Sequence, residues 1–114
     1  MRLIYHFMVA FACLVSFESS ASAACNPIAC DEVYISHLRV SLSGDILIDT
    51  TGDESLLNCT LLSGGYITLS ASHPGADKIY AMLLSAQAQG KPIGRIRIQD
   101  GSSPCHIAYV WQLQ

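Results

Sequence analysis

One stretch of this sequence has a helical period, and the segments on both sides of it alternate with period two. In HPGADKIYAMLLSAQAQGKP (73–92), Ile79, Met82, Leu83 and Ala86 recur at i, i+3, i+4 and i+7 and form one apolar stripe. The ends of the stretch are signalled as well. Ser72 or His73 can cap it, Pro74 suits the first turn, and Asp77 puts negative charge where the helix dipole favours it. Gly90 stands where a left-handed C-terminal cap is wanted, Lys91 favours the negative end, and Pro92 stops the helix. A lone amphipathic helix must lay its stripe on something, and the rest of the chain supplies only β structure.

The first β segment, VYISHLRVSL (33–42), alternates. Tyr34, Ser36, Leu38, Val40 and Leu42 make a predominantly apolar side against Val33, Ile35, His37, Arg39 and Ser41. SGD (43–45) is a tight turn that leads into ILIDT (46–50), so these two strands form a hairpin. After a break at TGDE (51–54), a third segment covers 56–70. Gly64 and Gly65 interrupt it, as one bent strand or as two short ones. Beyond the helix, PIGRIRIQ (92–99) sets Gly94, Ile96 and Ile98 against Arg95, Arg97 and Gln99. DGSSP (100–104) is a turn by composition. CHIAYVWQL (105–113) closes the chain, with Cys105, Ile107, Tyr109, Trp111 and Leu113 on one side and His106, Ala108, Val110 and Gln112 on the other. Both of its faces are apolar, which places it inside a sheet or turns its outer face toward another surface. The expected fold is therefore mainly β with one helix: a small OB-fold-like five-stranded barrel, the helix between strands 3 and 4 plugging one end. An open α+β sheet with one packed helix uses the same elements.

The ends and the composition set the compartment. MRLIYHFMVAFACLVSF carries Arg2 and then an apolar run; ESSASA and a small-x-small site at Ala21, Ser22 and Ala23 follow. This is the layout of a signal peptide over 1–23, and it implies a secreted or periplasmic protein. Glu18 ends the apolar run too early for a membrane anchor. Cys25 lies near the cleavage site, but Ser22 stands where a lipoprotein signal takes a Leu-like residue. Taking residues 1–23 from the 114 leaves 91 over 24–114, the size of one small domain. Arg2 and Glu18 leave together, so the charge of −3 is unchanged. With only Arg95 and Arg97 approaching a cluster, nucleic acid is excluded as a partner.

Cys25, Cys30, Cys59 and Cys105 remain after cleavage, an even count that argues for two disulfides in an oxidising compartment. Three pairings are open. Cys25 and Cys30 are close enough to close a short loop, which leaves Cys59 with Cys105. A zinc site would want a CxxC pair, and none is present; no metal or cofactor is expected.

Candidate chemistry is thin. His37, His73 and His106 fall on a strand face, at a helix start and at the start of the last strand, with surface or capping roles expected. Asp31-Glu32 and Asp53-Glu54 are sequence neighbours. On a strand such neighbours point to opposite faces, so they read as solvated charges rather than an acid–base pair. Asp45 and Asp49 share a strand face but flank nothing reactive. Arg95 and Arg97 share a face and could grip an acidic partner. Tyr109 and Trp111 face one way, with Tyr34 near them. Core packing is the ordinary role for such rings, and a sugar platform or a subunit interface is the alternative. NCT (58–60) is formally a glycosylation acceptor and reads as chance beside a bacterial-type leader. The chain is not expected to be an enzyme.

CDEVYISHLRV near the mature N-terminus resembles the opening strand of the B subunits of the subtilase cytotoxin and pertussis-like toxin group. The Cys-containing strand, the helix with LL, Ala and Gly, the KPIGRIRI strand and the final Cys segment follow that family's order. The resemblance implies a secreted OB-fold subunit that assembles into a ring-shaped homopentamer and binds glycans, with Asp31 and Glu32 at matching positions. Members with a sugar pocket place a Ser before the Asp-Glu-Val, where this chain has Cys30, and the mature chain here is shorter. Asp31, Glu32, Arg95 and Arg97 are thus the candidate ligand-binding residues. The alternative reading is a periplasmic inhibitor or immunity-type protein that binds another protein.

Overall fold

The computed structural model describes residues 24–113, so the signal peptide expected over 1–23 lies outside the described residues. The elements run β1 (Ala24–Cys25), β2 (Ala29–Val33), β3 (Ile35–Val40), β4 (Ile46–Thr50), β5 (Ile67–Leu69), α1 (Ala76–Gln89), β6 (Ile93–Ile98) and β7 (Ile107–Gln112). They form two antiparallel sheets, one in the order β1-β2-β6-β7 and the other β3-β4-β5. The protein is mainly β with one helix.

The seven strands differ from the expected five for local reasons. β1 exists because the Cys25–Cys30 disulfide holds it against β2, and the two cysteines are also register partners. The first expected strand starts earlier, at Ala29, and is broken at Tyr34 into β2 and β3, so the chain passes from one sheet to the other there. The third shrinks to Ile67–Leu69. Gly64 and Gly65, at φ 92° and 84°, turn the chain between the bridged Leu62 and Tyr66. Upstream of them, Glu54–Leu56 is a single 3-10 turn capped by the Asp53 side chain.

A continuous closed barrel is not found among the described residues. Apart from the β2–β3 link, the sheets meet where β5 touches the start of β7 through one parallel bridge, Thr68↔His106. There the Thr68 N–H donates to the Cys105 carbonyl at 2.7 Å. The second disulfide, Cys59–Cys105, lies at this junction.

β-Bulges decide which side chains enter the core. Ile35 pairs with Thr50 and His37 with Asp49, so Ser36 is an extra residue and the alternation reverses after Ile35. Val33 and Ile35 are buried before the bulge, and Leu38 packs inward after it. Tyr34, on the side expected to be buried, is therefore exposed before the bulge; Val40 shares the inward side of Leu38 after it but stays exposed at the end of the strand, as does Leu42 in the turn beyond. The core joins these residues to Ile46, Ile48, Ile67, Leu69, Ile93, Ile96, Ile98 and Ile107.

The helix packs against β3 and β7 and buries Ile79, Leu83 and Ala86. Met82, expected in the stripe, is only half-buried, while Tyr80 on the other flank packs against the core. α1 begins later than expected, with Gly75 at the N-cap and no side-chain cap. At its other end Gly90 is left-handed at φ 63°, and the Gly90 and Lys91 N–H groups donate to the Gln87 and Ala86 carbonyls. Among the described residues no helix is long and apolar enough to cross a membrane.

One expected solvated charge is inside. Glu54 is buried, and its Oε1 accepts from the Thr50 N–H at 2.6 Å and from Thr50 Oγ1 at 2.8 Å. Burial raises its pKa above the ordinary carboxylate value. The Thr50 bonds oppose that rise, and nearby Asp49 adds to it. The folded state therefore binds the Glu54 proton more readily than the unfolded chain does. The resulting stability is full below the ordinary carboxylate pKa and is lost as pH rises through the raised folded value. Glu54→Gln keeps an oxygen to accept both Thr50 bonds and removes the buried charge. Urea unfolding across the acid-to-neutral range should show the wild type losing stability relative to this variant as pH rises; parallel curves would exclude a proton difference at Glu54.

Candidate functional site

The outward face of β2, β6 and β7 gathers the chain's densest set of recognition side chains. In β6, Ile93, Ile96 and Ile98 point into the core, so Arg95 and Arg97 point out. Cross-strand register sets their neighbours. Asp31 pairs with Arg95 from one side and Trp111 from the other; Ala29 and Tyr109 flank Arg97 in the same way. Asp31 and Arg95 form a bidentate ion pair, Nε to Oδ1 at 2.6 Å and Nη2 to Oδ2 at 3.0 Å. That hydrogen bonding to Asp31 holds the Arg95 pKa above its ordinary value. The same guanidinium lies over the Trp111 ring, 5.1 Å from its centroid. Tyr109 stacks with Trp111, the centroids 5.7 Å apart and the planes 26° from parallel.

The exposure of both aromatics corrects the expected core role. Ile98 pairs with Ile107 while Arg97 pairs with Tyr109, so Ala108 is an extra residue in β7. Ile107 stays buried before this bulge, whereas Tyr109 and Trp111 emerge 43% and 46% exposed after it. A second irregularity falls between Ile93 and Arg95, and there Gly94 seats the indole. A Cβ on Gly94 would come within 2.6 Å of Trp111 Cδ1 and 2.9 Å of Nε1. The signal in the sequence was the doubly apolar 105–113 segment; the face it exposes depends on the bulge.

The other candidates are placed as follows. Glu32 is exposed, adopts φ 53° and takes no part in the Asp31–Arg95 pair. Arg97 forms no ion pair among the described residues. Tyr34 is exposed at the β2–β3 link, outside the stacked pair. Asp49 lies 3.4 Å from His37, Asp45 accepts from the Ala71 N–H, and Asp53 accepts from Ser55. His73 Nε2 donates to the Ala108 carbonyl at 2.8 Å, while Nδ1 accepts from the Gly75 N–H at 2.9 Å. It thus ties the helix start to the β7 bulge. A cleft of ≈280 Å³ opens beside it, lined by Ser70, Ser72, Gln99 and His106 among others. Among the described residues no three His, Cys, Asp or Glu side chains converge as a metal site.

This face offers flat aromatic surface next to fixed donors and acceptors. The Asp31 pair uses Nε and one N–H of Nη2, so Nη1 and the rest of Nη2 can still donate, and the carboxylate retains lone pairs. Arg97 and the Tyr109 hydroxyl extend the polar rim. No family model matches the chain, and no curated protein and no solved structure matches it either.

Proposed function

We propose that this protein is an exported, non-enzymatic binding protein that recognises glycans on the Asp31–Arg95–Trp111–Tyr109 face. A sugar ring has one apolar face and a rim of hydroxyls, and it needs an aromatic surface beside pre-oriented polar groups. The observation that carries this reading is the exposed Tyr109–Trp111 stack held against a bidentate Arg95–Asp31 pair. Every member is fixed before a ligand arrives, which keeps the ordering cost of binding low.

The fold reading goes with it: an OB-like barrel with α1 across one end. Three observations support it. The β2–β3 segment serves both sheets, α1 falls between the third and fourth main strands, and β5 meets β7 in parallel. Two disulfides fit an oxidising compartment, secreted or periplasmic. As a B-subunit-like module the chain would assemble as a homopentamer, which sedimentation tests directly.

A protein partner is the second reading, because exposed Trp, Tyr and Arg are also the residues that dominate protein interfaces. A glycan array on the mature chain separates the two. Trp111→Ala should lower affinity for the glycans bound by at least about tenfold, in line with aromatic hot spots. It should leave the unfolding midpoint close to wild type, since Trp111 is outside the core. Array signals that Trp111→Ala does not change would remove this face from the binding site.

A further inference from the structure

The face that carries Arg95 and Trp111 continues past Arg97 and Tyr109. Gln99 lies two residues beyond Arg97 on the outward side of the chain, and its N–H donates to the His106 carbonyl at 2.8 Å. Gln99 and His106 thus make a third row, and this row opens into the ≈280 Å³ cleft whose far wall carries Ser70, Ser72 and His73. Strand geometry sets the Arg95 row and the Gln99 row ~13 Å apart. One sugar ring cannot touch both.

The cleft differs in chemistry from the platform. No Lys, Arg, Asp or Glu lines it. Ser70 Oγ and Ser72 Oγ are 2.8 Å apart, so one hydroxyl proton joins them and the other is free to donate. His73 has both ring nitrogens engaged with backbone groups and serves as a wall. The Gln99 carboxamide and the His106 imidazole make no side-chain hydrogen bond among the described residues, and Pro74 is an apolar member of the lining. Donors and acceptors without net charge match an uncharged hydroxylated ring.

We infer that this cleft is a second subsite, taking an uncharged sugar ring of the same oligosaccharide whose other end lies against Trp111. The inference rests on the glycan reading of the Trp111 face and extends it: the ligand is a chain of sugars rather than a single terminal residue.

The test uses ¹⁵N-labelled protein titrated with maltotriose and chitotriose, with glucose and N-acetylglucosamine as single-ring probes. Trp111 is the only tryptophan of the chain, so its indole N–H signal reports the platform unambiguously, and the Gln99 side-chain amide reports the cleft. A trisaccharide should shift both signals with one concentration dependence and bind at least tenfold more tightly than its single ring. In the Gln99→Ala/Ser72→Ala double variant that advantage should vanish, while single-ring binding at Trp111 stays unchanged. A trisaccharide that shifts Trp111 alone, or binds the double variant as tightly as the wild type, overturns the subsite and leaves the platform standing. A shift at Gln99 with Trp111 silent overturns the continuity between the two. No shift at either signal with any probe overturns the subsite and the platform reading together.

Discussion

Leu83→Asp is expected to abolish cooperative unfolding, leaving a chain whose far-ultraviolet circular dichroism changes without a transition on heating. Leu83 is fully buried where α1 lies on β3 and β7, and its neighbours along the helix, Ile79 and Ala86, share the contact. Removing the side chain forfeits ~2–3 kcal/mol of apolar burial. Placing a carboxylate there adds several kcal/mol more, because the position is fully shielded from water. A domain of this length has on the order of 10 kcal/mol in total. Leu84→Asp is the matched control. It carries the same chemistry one residue along, where the side chain is 45% exposed, and should stay within ~0.5 kcal/mol of wild type. A cooperative melt for Leu83→Asp close to that of Leu84→Asp would show that α1 is not docked through its Ile79–Leu83–Ala86 stripe.

That contrast marks what was legible in the sequence. Helix position, its C-terminal glycine and the strands β4 and β6 all follow from local signals: period, turn residues and caps. What local signals cannot carry is an extra residue. The bulges at Ser36 and Ala108 each reverse a period-two pattern, so correct strands were assigned the wrong faces. Tyr109 and Trp111 lie at the surface rather than in the expected core for that reason, whereas Val40 and Leu42 are exposed because they sit at the end of β3 and in the turn after it. Sequence also placed Arg95 and Arg97 on one face, and put Asp31 and Glu32 together as candidates. The Asp31–Arg95 pair depends on the register between β2 and β6, more than sixty residues apart, and no short-range pattern encodes that. Glu54 departs from its expected solvated role for a related reason: a charge in a turn reads as solvated on local signals alone, and it is Thr50, on the strand before it, that donates twice to its carboxylate.

The second large effect concerns the junction between the sheets. Between β5 and β7 the ladder consists of one parallel bridge, and the surrounding loops supply the remaining bonds: Thr60 N–H to the Ser102 carbonyl at 2.9 Å, Cys105 N–H to Thr60 at 2.7 Å, Gly101 N–H to Asn58 at 2.7 Å. The Cys59–Cys105 disulfide lies within that set and closes a loop of 46 residues. Loop entropy alone makes this bridge worth ~4 kcal/mol, against ~2 kcal/mol for the Cys25–Cys30 loop with its separation of 5. Cys59→Ala/Cys105→Ala should therefore lower the melting temperature by roughly 20 °C, and Cys25→Ala/Cys30→Ala by roughly half that. A local readout distinguishes entropy in the unfolded chain from support of the junction. If the bridge holds the sheets together, the Thr68 amide, bonded to the Cys105 carbonyl, should lose hydrogen-exchange protection before the amides of β6 do. Uniform loss of protection at Thr68 and β6 would mean that the disulfide acts only on the unfolded state. Equal melting shifts for the two double variants would mean that the backbone bonds hold this junction without it.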